Sequence, residues 1–154
     1  MTLIRTTATV SIIGGIWVID SSELSSTYPN GLRYVPLVSG GTDTVEFQFA
    51  VGTTGTLNLH LIYAMSGASA NDITLRVDTL VLGDSGVPST AMTAGTPFDV
   101  TPGNDVNIHW VTQADSGDLS LAVTAGDTIR VLITRTDATH PGDMRITELR
   151  EDGT

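Results

Sequence analysis

From residue 42 onward, large apolar and polar side chains alternate with a period of two, and no window carries the i, i+3, i+4, i+7 spacing of an amphipathic helix. Successive side chains of a strand point to opposite faces, so this pattern describes strands that are wet on one face and packed on the other. Val45, Phe47, Phe49 and Val51 share one parity, with Glu46 and Gln48 on the other. Leu57, Leu59, Leu61 and Tyr63 repeat the rule after Gly52-Thr53-Thr54-Gly55, and the two segments are expected to form a hairpin. Residues 73–82 place Ile73, Leu75 and Val77 on one face and then Leu80 and Leu82 on the other, which predicts a bulge near Asp78 and Thr79.

Residues 83–96 are rich in Gly, Ser, Thr and Pro and have the length of a crossover between sheets, with a short strand following at 97–100. Pro102-Gly103-Asn104-Asp105 reads as a turn. Strands are then expected at 106–111, 119–123, 129–135 and 144–149, separated by Asp115-Ser116-Gly117-Asp118, Ala125-Gly126-Asp127 and His140-Pro141-Gly142-Asp143. The apolar faces of these eight strands need a second layer about 10 Å away to cover them. The expected fold is therefore all-β, an antiparallel two-sheet β-sandwich of jelly-roll type. At 154 residues the chain fits one such domain, with residues 41–151 expected as the sandwich and 152–154 as a tail.

Residues 1–40 differ. Residues 7–12 alternate, Gly14-Gly15 interrupts, 16–19 resumes, 21–30 reads as loop and 33–37 as strand. Two forms fit: extra edge strands on the sandwich, or an extended arm. Val10, Ile12, Trp17 and Ile19 form an apolar face that would invite aggregation if bare, so together with Tyr28 and Tyr34 they are candidate contacts to another subunit or partner. The apolar run 10–19 holds Ser11 and the glycine pair and is about half the length that crosses a bilayer. No small-x-small cleavage site follows before Asp20, which speaks against a signal peptide.

The charge is lopsided. The formal net charge is −10; residues 1–40 are balanced, while residues 41–154 set five arginines against fifteen carboxylates. A surface this acidic repels phosphate backbones, so nucleic acid is not an expected partner. With no cysteine, disulfides and thiolate metal sites are impossible. His60 and His109 fall on the parity read as outward and His140 in a turn, without the spacing of a zinc site, so all three are expected to be solvated. Asp115, Asp118, Asp137 and Asp143 offer hard oxygen atoms, but no calcium-loop pattern accompanies them, and Asp beside Gly suits a tight turn for backbone reasons. Glu46 and Asp78 point outward on different strands, and neither a nucleophile elbow nor a phosphate-cradling glycine loop is present. The expectation is a protein without catalytic activity, cofactor or metal. Among the aromatics, Phe47, Phe49, Tyr63 and Trp110 share the parity read as inward, which leaves Trp17, Tyr28 and Tyr34 to stack on a sugar or a partner.

Residues 73–82, 95–105 and 117–135 resemble small β-sandwich modules of tailed-phage virions, found in head-decoration, head-fibre and tail-fibre proteins. The resemblance implies a non-enzymatic structural protein on the outer surface of a virion: a decoration, cementing or fibre-type module. It also implies a homo-oligomer, with a trimer favoured, bound to neighbouring virion proteins. The alternative is an extracellular carbohydrate-binding, receptor-binding module that uses a sheet face or loop tips around Tyr28, Tyr34 and residues 83–96.

Overall fold

The structure, a computed structural model, describes residues 11–13, 16–18, 26–27, 33–40, 43–87, 89–137 and 139–151. The alternating segments become β4 (Arg33–Leu37), β5 (Thr44–Ala50), β6 (Gly55–Met65), β7 (Ile73–Leu82), β8 (Phe98–Val100), β9 (Ile108–Val111), β10 (Ser120–Val123), β11 (Thr128–Arg135) and β12 (Met144–Glu151). Ahead of them come the short strands β1 (Ser11–Ile13), β2 (Ile16–Val18) and β3 (Ser26–Thr27). Every pairing is antiparallel.

Two sheets result. The small sheet has the order β5-β11-β7-β8. The large sheet is built on β6 and β12. The far flank of β6 carries β9 beside residues 61–64 and β10 beside residues 55–58. The far flank of β12 carries β4 beside residues 144–146 and β2 beside residues 148–150. β1 adds to β2 and β3 to β4, so the described strands of this early segment extend the large sheet on that flank.

Between the sheets lies the interior that the alternation demands: Phe47, Leu59, Leu61, Tyr63, Leu75, Val131, Ile133, Ile146 and Leu149 are at most 1% exposed. Burying a side chain such as Leu59 or Phe47 contributes about 1.5–3 kcal/mol. Val35 and Leu37 of β4 are equally buried, so this early strand belongs to the same core.

Two local expectations are corrected. β5 and β6 do not form a hairpin: β5 pairs with β11 along its whole length, while β6 lies in the other sheet. The Val51 amide donates to Asp127 and its carbonyl accepts from Gly126, so β5 keeps β11 as its neighbour and residues 52–54 cross between layers. Nor does β7 bulge. Its register with β11 is unbroken from Leu75 to Leu82. Asp78, Thr79 and Leu80 are all buried because the segment after β7 folds back along it: Thr79 and Thr93 exchange backbone hydrogen bonds, and the Gly95 amide donates to Asp78 Oδ1 at 3.0 Å. Gly95 lies so close that a Cβ would stand 2.1 Å from the Val77 carbonyl oxygen, a contact that no other residue type could make. The register shift falls instead in β12, between Ile146 and Glu148 opposite β6.

Candidate functional site

On β9 the register is set by Val111, which is fully buried opposite Leu61. Trp110 therefore pairs with Ile62 on the outer face of the large sheet and is 49% exposed, a correction to its expected place in the core. The misreading has a plain cause. Val106, Ile108 and Trp110 are the apolar parity of this segment, and here the apolar parity is the wet one, at 48–56% exposure.

The indole is held in place from two sides. The Arg150 guanidinium lies 5.1 Å from its centroid, and the His60 ring meets it nearly edge-on at 5.7 Å and 73°. His60 and Arg150 are directly opposed across β6 and β12. Glu148 anchors Arg150 at 2.8 Å and is itself opposite Ile62, so Trp110, Ile62 and Glu148 form one row across the sheet. Further along the face, Arg145 stacks on Tyr34 at 4.9 Å. A half-exposed indole flanked by a guanidinium and a carboxylate can stack on the C–H face of a ring while charged groups bond its hydroxyls.

The other candidate residues fall elsewhere. Val10, Ile19 and Tyr28 lie outside the described residues. Ile12 and Trp17 are register partners between β1 and β2, and Trp17 is also opposite Leu149 of β12. Tyr34 is half-buried on β4 between the buried Val35 and the edge pairing with Ser26.

None of the histidines is a solvated surface group. His60 keeps its outward parity yet is buried beneath its neighbours. His109 turns to the inner side, opposite Tyr63, with ring centroids 5.6 Å apart, and its Nε2 is 2.7 Å from Asp105. The Asn107 amide and His109 together hold the Asp105 carboxyl below the usual range. Burial pushes the Tyr63 phenol well up, and the charges of Asp115 and Asp105 add to this, so it stays neutral.

His140 is fully buried, and its carbonyl and that of Gly142 are turned onto Arg135. Arg135 occupies an inward position and is 0% exposed. All five of its N–H groups donate: two to the Asp137 carboxylate and the others to the carbonyls of Leu37, His140 and Gly142. Burial pushes the Asp137 carboxyl up, but Arg135 and the amides of Thr74 and His140 pull it down further, and the net shift is downward. The remaining acids serve the frame. Asp115 caps Thr112, Asp127 caps Thr124, and Asp143 accepts from Ser39. Glu46 and Asp78, the outward carboxylates, sit opposite each other across Leu132, each bound to an arginine: Arg130 at 2.7 Å and Arg76 at 2.9 Å.

No protein-family model and no curated protein matches the chain. Solved structures do. A family 35 carbohydrate-binding module from an environmental isolate aligns with TM-score 0.52 and 10% identity over 97% of this chain and 90% of its own. A Paenibacillus sp. cycloisomaltooligosaccharide glucanotransferase, complexed with cycloisomaltoheptaose, aligns with TM-score 0.51 and 15% identity over 94% of this chain and 17% of its own. An Arthrobacter globiformis T6 isomalto-dextranase, complexed with panose, aligns with TM-score 0.50 and 14% identity over 91% and 21%. The chain thus spans about a fifth of the two enzymes and nearly the whole of the binding module. The fold is a β-sandwich resembling the jelly rolls of carbohydrate-binding modules.

Proposed function

We propose that this protein is a non-catalytic carbohydrate-binding module that stacks a sugar ring on Trp110. The observation that carries this reading is the half-exposed indole on the outer face of the large sheet, braced by Arg150 and His60 beside Glu148. Its fold likeness to a carbohydrate-binding module supports the same reading, and favours glycan binding over the virion role suggested by the sequence resemblance. A large, stiff aromatic contributes contact area at little entropic cost, and the charged pair supplies directional hydrogen bonds to hydroxyls.

A glycan array followed by titration calorimetry tests it. The wild-type chain is expected to retain one or a few glycans, and Trp110→Ala to weaken their binding about tenfold or more, roughly 1.4 kcal/mol, with folding unchanged because the side chain lies outside the core. Equal affinity in Trp110→Ala, or silence of the folded wild type across the array, would overturn the proposal.

A further inference from the structure

A shallow, open depression of about 560 Å³ lies on the side of the sandwich away from Trp110 and is lined by Ala70, Asn71, Asp72, Thr74, Asp99 and Thr139. Thr74 and Asp99 are register partners on β7 and β8, and the neighbouring Ile73 and Leu75 are fully buried, so both face outward from the small sheet. The walls come from three chain segments locked together. Asn71 Nδ2 donates to the Thr139 carbonyl at 2.7 Å, and the Thr139 hydroxyl donates to the Asp72 carbonyl at 3.1 Å. Behind them the Thr74 amide is tied to Asp137, which Arg135 clamps. Such a lining is shaped before a ligand arrives, which lowers the ordering cost of binding.

Its chemistry is specific. Asp99 Oδ1 accepts from the Thr74 hydroxyl and Asp72 Oδ1 from the Thr101 hydroxyl, both at 2.6 Å. Both residues are exposed, and a carboxylate that accepts one bond on one oxygen can accept another from a ligand donor on its second. No group of three or more metal-ligating side chains assembles among the described residues. No aromatic ring lines the walls, so a ligand here is held by its hydroxyls rather than by stacking. Two carboxylates repel an acidic ligand and accept from a neutral one.

We infer that this depression is a second glycan subsite, one that takes the hydroxyl-rich end of a neutral sugar chain. The inference builds on the carbohydrate-binding reading. The two sites lie on the outer faces of sheets stacked about 10 Å apart, so one sugar cannot touch both, and the module holds two chains or two stretches of one.

The test is an amide chemical-shift titration of the full chain with a panel of neutral mono- and oligosaccharides, repeated in Trp110→Ala, Asp99→Ala and the isosteric Asp99→Asn. Two separate sets of amides should move in the wild type: one around 108–111 and 148–150, the other around 70–74, 99 and 139. Trp110→Ala should silence the first set only. Either Asp99 variant should weaken the second about tenfold and leave the first alone, and the isosteric variant covers the case in which the alanine variant misfolds. If the first set responds and the second stays silent, the inference fails while the Trp110 reading stands. If only the second responds, the subsite stands and the Trp110 reading fails. If calcium chloride alone moves the second set and no sugar does, the site is ionic and the inference is overturned.

Discussion

Arg135 and Arg150 each pair with a carboxylate two residues away on or next to the same strand, Asp137 and Glu148, yet they do opposite work. Arg135 points inward, loses all contact with water and saturates every donor on Asp137 and three carbonyls. Arg150 points outward, keeps one carboxylate and lies across an indole. One cation joins the end of β11 to β4 and to Asp137, His140 and Gly142, while the other shapes a surface. Both are arginine–carboxylate pairs; strand parity and burial set the role. A buried pair is costly to break because its partner is left charged in a poor solvent, whereas an exposed pair returns to water at little cost.

The largest effect is expected at Arg135. Arg135→Met should destabilise the fold by about 3–5 kcal/mol in urea denaturation, since Asp137 is left buried and unpaired. A loss below about 1 kcal/mol would show that water reaches the pair and that Arg135 is no more tightly held than Arg150.

Acid provides the next test. The Asp137 carboxyl is held below its ordinary value in the folded chain, so the stability it adds is fully present above the ordinary carboxylate range. That stability should drain away as the pH falls below about 4, through the depressed folded value. Thermal melts of wild type and Asp137→Asn across that window should converge as the pH falls; melts that stay parallel would contradict the assignment.

The smallest effect belongs to Arg150. Arg150→Gln should leave unfolding unchanged and weaken glycan binding about two- to fivefold, the equivalent of about 0.5–1 kcal/mol for a cation resting on an exposed ring. A loss as large as that of Trp110→Ala would mean that Arg150, not the indole, is the main contact.

Much of the fold was legible in advance. The parity of residues 45–51 and 57–63 put Phe47, Phe49, Leu59 and Tyr63 in the core, where they are. Alternation does not say whether successive strands lie side by side or face to face, and so the β5–β6 hairpin was expected where a crossing stands. The candidate site was far less visible. Trp110 sits in a segment whose outward parity is the apolar one, so pattern alone assigns it to the core. Arg135 did carry a signal: it follows Ile129, Val131 and Ile133 at spacing two, and an arginine at the next inward position calls for a buried partner.

From composition and alternation alone came the secondary-structure type, most strand limits and the need for two layers, because these depend on neighbours one or two residues away. Which strands became neighbours, which side of β9 met water, and where Asp72, Asp99 and Thr139 converge were decided only by tertiary structure. Those outcomes depend on contacts between residues tens of positions apart, which leave no mark on local periodicity.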